Sequence, residues 1–171
     1  EWQATPMAHY SNHLYVWDDR FLYLTPGITS GITQRHTTTL LVSLDGTGFH
    51  LGDQRGQRQH YQAALVGRQV ARSLDTAGTP LLSLNFDPQS YEFHTLTAFL
   101  AGQSVRAVIL EPAALDPAEL AAAGQGSLGK ASLFRMTTRL VQAISGYRPV
   151  RVPMDMRAVY LAQNIKQELP L

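Results

Sequence analysis

The sequence predicts a mainly β protein, an antiparallel barrel or sandwich, with helices gathered toward its C-terminal end. Three observations predict it. Between His13 and Phe86, short runs of β-branched, aliphatic and aromatic residues follow one another, separated by Gly, Pro or Asp turns and by no helical pattern. Short strands this crowded suit a sandwich or a barrel. After Asp87-Pro88 the apolar spacing changes to that of helices. The composition, 44% hydrophobic and 16% charged over 171 residues, is that of a packed domain of ordinary size with an appended helical piece.

Taken in order, Glu1 to Asn12 is polar, aperiodic and contains Pro6, so residues 1–12 form an arm. His13 to Trp17 and Phe21 to Leu24 are aromatic-rich strands joined by Asp18-Asp19-Arg20. The organising stretch is Ile32 to Gly52. Its aliphatic run Thr37 to Leu44 reaches Asp45-Gly46, a strong tight-turn signal, and Phe49 and Leu51 then alternate with His50 and Gly52. This predicts a hairpin whose apolar face needs another layer. Further strands follow at Gln57 to Tyr61, Ala63 to Val66, Val70 to Leu74 and Leu81 to Phe86. Ser90 to Ala101 then reads as helical and Val105 to Leu110 as one more strand.

Asp116 as N-cap, Pro117 at the first helical position and Gly124 as a stop define a short helix. Ser132 to Ser145 is a stronger one, with Leu133, Met136, Leu140, Val141 and Ile144 at i, i+3, i+7, i+8 and i+11. Tyr147 to Pro153 is an extended linker, and Met154 to Leu169 begins a last helix. The opening at Glu1 and the ending at Leu169-Pro170-Leu171 both look like cuts in a longer chain.

Composition also excludes functions. A net charge of +1 leaves no basic stripe of the kind a DNA-gripping domain shows. The absence of cysteine removes disulfides, thiolate catalysis and Cys-based zinc sites, and fits a reducing compartment. No apolar run approaches the roughly 18 residues a membrane span needs, and no signal-peptide pattern is present. A soluble, cytoplasmic protein without a membrane partner is expected.

A barrel of this strand pattern, followed by helices and a linker, resembles the effector-binding and dimerisation domain of AraC-type transcription regulators. Gln34-Arg35-His36, the aliphatic strand and Asp45-Gly46 resemble the family's H-x-H-like entry to its cupin barrel, a jelly roll. Ala64 to Leu74 resembles its second element, and Met154 to Leu171 looks like the entry helix of its DNA-binding domain. The resemblance implies a cupin-like barrel over residues 13–110, a helical dimerisation region over 111–147, and over 148–171 a linker and first helix. The two helix-turn-helix units that follow in the family are missing here. It implies a homodimer, a small organic effector in the barrel, and promoter DNA bound only through the missing units. Departures from the metal-binding cupins are informative. The matching positions hold His36, Thr38 and Arg72, whereas a metal needs about three protein ligands and Arg72 is a permanent cation. The resemblance therefore implies no enzyme, metal or cofactor. A stand-alone cupin enzyme, a metal-dependent isomerase or dioxygenase, is the alternative.

Within that frame the candidate ligand-binding residues are His36, Thr38, Arg72, Trp17, Tyr23 and Phe49. If His36 points into the lumen, strand alternation sends Thr38, Leu40, Val42 and Leu44 there too; the competing reading is a hydrogen-bonded core or rim histidine. Arg72 suits a bidentate carboxylate clamp, or is an exposed strand-end arginine. The aromatics line a lumen or are plain core. In the family such an arm closes over a bound ligand, so the resemblance offers that role to Trp2 and Tyr10. His50 and His60 lack a third metal ligand and read as surface residues. Gly124 to Lys130 lacks the G-K-[ST] order of a phosphate loop. Leu133, Met136, Leu140 and Ile144 form a stripe that meets a second copy or covers the barrel; the resemblance favours dimerisation.

Overall fold

The computed structural model describes residues 11–111 and 116–146. The expectations for Trp2 and Tyr10, the linker and the final helix lie outside the described residues. Eight strands form two antiparallel sheets: β2 (Arg20–Thr25), β3 (Thr29–Thr33), β4 (Thr38–Ser43), β5 (Phe49–Gly52), β6 (Arg58–Tyr61), β7 (Ala63–Val66), β8 (Arg72–Asp75) and β9 (Leu81–Phe86). Their orders, β2-β9-β4-β7 in one sheet and β3-β8-β5-β6 in the other, are those of a jelly roll, the cupin-type architecture. Two edge strands, β1 (His13–Val16) beside β2 and β10 (Val105–Ala107) beside β7, widen the first sheet to six. Helices α1 (Tyr91–Leu100), α2 (Pro117–Gly124) and α3 (Lys130–Ser145) cover that sheet's outer face. None of the described helices is long and apolar enough to cross a membrane.

The organising stretch is not a hairpin. β4 pairs with β7 and β9, while β5 pairs with β6 and β8, so Asp45-Gly46 carries the chain from one sheet to the other. The turn itself is as tight as the dipeptide signals: Thr47 N–H donates to Asp45 Oδ1 (2.9 Å) and Gly48 N–H to Ser43 Oγ (2.9 Å). Gly48 has φ +96°, and a Cβ there would lie 2.8 Å from the Tyr61 carbonyl and 2.3 Å from His60 Nε2. Strain and collision act together, so Gly48→Ala is expected to cost roughly 1–3 kcal/mol, read by urea unfolding.

β4 is buried on both faces, and its two residue sets serve two cores. Leu40 and Val42 join Leu22, Leu84 and Phe86 against the helices, whereas Leu41 joins Phe49, Leu51, Ala64, Val66 and Leu81 between the sheets. The expected phase is therefore reversed: Leu40, Val42 and Leu44 pack on the helical layer rather than in the lumen. A strand buried on both sides reads as a continuous apolar run, which does not reveal which set faces which layer. Thr38 shares the face of Leu40 and stands opposite Phe86. Its hydroxyl oxygen is buried with no hydrogen-bond partner among the described residues. Thr38→Val, of nearly the same shape, is expected to raise stability by roughly 1 kcal/mol, read in the same unfolding experiment.

The helices form where the sequence places them. Ser90 Oγ caps α1 by accepting from Phe93 N–H (3.0 Å), and Asp116 caps α2 through Ala118 N–H (2.9 Å). Leu133, Met136, Leu140 and Ile144, the stripe expected to meet a second copy, are between 0% and 8% exposed and sit in the core of their own chain. A sheet face rich in leucine offers the nearest apolar partner, and the stripe is used there. Arg20 ties these layers. Its side chain, 2% exposed, pairs with Asp19 (2.9 Å) and with Glu92 on α1 (2.9 Å), and donates to Thr137 Oγ1 on α3 (3.1 Å). Phe134 and Phe86 stack on its guanidinium at 4.2 and 4.9 Å.

Candidate functional site

At one end of the sandwich, a cavity of about 700 Å³ opens between the two sheets. That volume lies in the range of small-molecule sites. One wall is the β5–β6 hairpin, in register Phe49 with Tyr61, His50 with His60 and Leu51 with Gln59. Its turn is set by Asp53, whose Oδ1 accepts from Arg55 N–H (2.9 Å) and Gln57 N–H (3.0 Å), and by Gly56 at φ +82°. Alternation then directs Leu51, Gln59 and Tyr61 inward, and His50, Arg58 and His60 outward. The opposite wall comprises Val105 of β10 and the loop of Gln69, Val70 and Ala71 that leads into β8.

Arg72, the first residue of β8, also lines the cavity. It lies opposite Thr33 of β3, on the strand face it shares with Leu74, which packs against the inter-sheet core. The residue is 7% exposed, and no hydrogen bond or ion pair from its guanidinium is found among the described residues, where the fully buried side-chain atom left without a partner is Thr38 Oγ1 and not a nitrogen of Arg72. Burial first, and then the charge of Arg35, pull it down to about 10. It stays protonated at neutral pH. Among the described residues no carboxylate forms an ion pair with it, although Asp53 lines the same cavity, and its desolvation costs free energy in the empty protein.

The loop of Arg35 is latched to the cavity wall. Gln69 adopts the left-handed region (φ 59°), its N–H donates to the Arg35 carbonyl (2.7 Å), and its side-chain amide meets His36 Nδ1 at 3.5 Å. A non-glycine residue held at positive φ beside a cavity is local strain of the kind that clusters at binding sites.

Of the sequence-predicted ligand residues, the structure brings Arg72 alone to this cavity. His36 is exposed on the rim, engaged by Gln69. Thr38 and Trp17 face the helices instead of the lumen: Trp17 packs on the helical core, edge-on to Phe134 with centroids 5.7 Å apart. Tyr23 donates to Asn12 Oδ1 (2.9 Å) and does not line the cavity. Phe49, 1% exposed, lies in the inter-sheet core and stacks on Tyr61, 6.2 Å between centroids. Tyr61, Gln59, Gln34 and Gln69 line the cavity without having been singled out. Their signal was the alternation Gln57-Gln59-Tyr61, which becomes an inner face once the turn at Gly56 sets the register.

Polar groups elsewhere between the sheets are already satisfied. Asn85 accepts from Thr39 (2.7 Å) and Thr37 (3.2 Å) and donates to Ser83 Oγ (3.1 Å). His50 and His60 form an edge-on pair on the outer face (5.1 Å), with His60 Nε2 engaged by the Thr47 carbonyl (3.0 Å). Among the described residues no group of three or more His, Asp or Glu is placed to hold a metal ion.

The strand order defines a jelly roll with a helical layer on one face and a cavity between the sheets. No family model and no curated protein matches the sequence. Among solved structures the chain is similar to protein NMB1881 from Neisseria meningitidis, at 12% identity over 47% of this chain and 89% of that one, TM-score 0.40. It is also similar to a cupin domain (bp2299) from Bordetella pertussis Tohama I, at 9% identity over 49% and 99%, TM-score 0.36. The jelly-roll assignment rests on the strand order itself.

Proposed function

We propose that this chain is the effector-sensing domain of an AraC-type transcription regulator. On this reading it is not an enzyme; a small molecule in the cavity biases how a DNA-binding unit is presented. The observation that carries the reading is the cavity of about 700 Å³ between the sheets, whose lining includes Arg72, 7% exposed and without an ion pair among the described residues. Its surroundings suit a sensor. The six-stranded sheet is a wall common to the cavity and the helices, and Val105 of the cavity neighbours Arg106. Arg106 stacks on Phe99 of α1 at 4.0 Å and hydrogen-bonds the Phe99 carbonyl. A ligand that prefers one arrangement of β10 over another therefore acts on α1 directly, by its differential affinity for the two arrangements. Pairing of two copies belongs to the same proposal, through surfaces other than the buried α3 stripe.

The test is to read the gene past the codon for Leu171 and express its whole product. Two helix-turn-helix units, and enrichment of a paired half-site from random DNA duplexes, are the expected outcome. A product with no DNA-binding unit overturns the proposal.

A further inference from the structure

We propose that the ligand of the cavity is a small organic monocarboxylate, its carboxylate paired with Arg72 and its body held among Leu51, Val70, Tyr61 and the amides of Gln59 and Gln69. This deepens, and rests on, the sensor reading above. A guanidinium presents two parallel N–H donors that match a carboxylate, and Arg72 presents them from a position 93% removed from solvent. The other buried polar cluster between the sheets is occupied by protein, since Asn85 has its hydroxyl partners, and on the helical side Arg20 has Asp19 and Glu92. Arg72 has no such partner among the described residues, so an incoming anion supplies what the fold leaves out.

Charge and shape narrow the class. One buried cation is neutralised by one negative charge. A doubly charged phosphate needs a second cation beside Arg72; Arg55 also lines the cavity, but it is exposed and its charge is offset by neighbouring Asp53 in the same lining. Leu51, Val70 and Val105 offer contact to an apolar part of the ligand, while the Gln amides and the Tyr61 hydroxyl meet hydroxyl or carbonyl groups on its body.

The experiment titrates isotope-labelled protein with benzoate, hexanoate and gluconate, each beside its neutral amide, and with inorganic phosphate. The backbone amides of Leu51, Gln59 and Tyr61 and the side-chain Nε–H of Arg72 are followed by NMR. Expected is saturable movement of these signals by at least one carboxylate, about ten- to a hundredfold tighter than by its amide, with phosphate weaker than the carboxylate. Arg72→Met is expected to abolish that preference, and Arg35→Gln to weaken it only mildly. Amides that bind as tightly as carboxylates overturn the carboxylate assignment and leave the sensor reading standing. Phosphate binding more tightly than every carboxylate overturns it too. Cavity signals that no probe moves overturn the assignment and the sensor reading together. The comparison of acid with amide is made on the wild-type protein, so it stands whether or not the variants fold.

Discussion

Arg72→Met is expected to make the empty protein more stable and to remove anion binding. A buried guanidinium without an ion pair is a desolvation cost carried by the fold, and a thioether of similar reach fills the space without it. Replacement is expected to raise stability by roughly 1–2 kcal/mol, about 2–8 °C in melting temperature for a chain of this size. The opposite sign, a clear loss of stability, contradicts the description of Arg72 as unpaired. Gain of stability with loss of binding is the usual trade-off where a site retains strain for function.

Arg20→Met is expected to do the reverse. Arg20 is equally buried but fully partnered, and its removal leaves Glu92, 16% exposed, and Asp19, 30% exposed, facing an apolar side chain. Burial opposes its charge, but the Asp19 hydrogen bond and the charges of Glu92 and Asp19 outweigh burial, so the guanidinium sits above its ordinary value. Losing these partners together with Thr137 is expected to cost about 3 kcal/mol, discounted for the partial exposure of Asp19. That is about 6–12 °C in melting temperature. The loss is also local. Hydrogen exchange of α1 and α3 should rise more than that of β5 and β6, because Arg20 joins the helices to the sheet rather than the sheets to each other. A uniform rise across both sheets, or a loss below about 1 kcal/mol, contradicts this role.

The two arginines mark what can be read without coordinates. Local signals were legible: Asp116, Pro117 and Gly124 bracket α2, and the spacing of Leu133, Met136 and Leu140 locates α3. Strands built on aliphatic runs were legible for the same reason, since Thr38–Ser43 and Leu81–Phe86 coincide with those runs, whereas the polar, largely exposed β3 (Thr29–Thr33) was not expected. Relations between elements were not. Asp45-Gly46 announces a tight turn, and nothing local distinguishes a turn back along the same sheet from one crossing to the other. The double burial of β4 hid its phase, which moved Thr38 and Leu40 to the helices. Trp17 went the same way because an aromatic beside a strand packs equally well on either layer. The structure places Arg72 in the cavity lining, where its role is the one proposed above; it was singled out through the resemblance, at the position matching the second cupin motif. Its partners Tyr61 and Gln59 were not, because their direction follows from a hairpin register set by Gly56.

The central claim is that occupancy of this cavity controls DNA binding, and it is tested most directly on the complete gene product. The affinity for its selected duplex is measured with and without the carboxylate that fills the cavity, in wild type and in Arg72→Met. The account predicts a change of about fivefold or more in the wild type and none in the variant. Identical duplex affinity with and without the carboxylate in the wild type, while NMR shows the cavity filled, contradicts it.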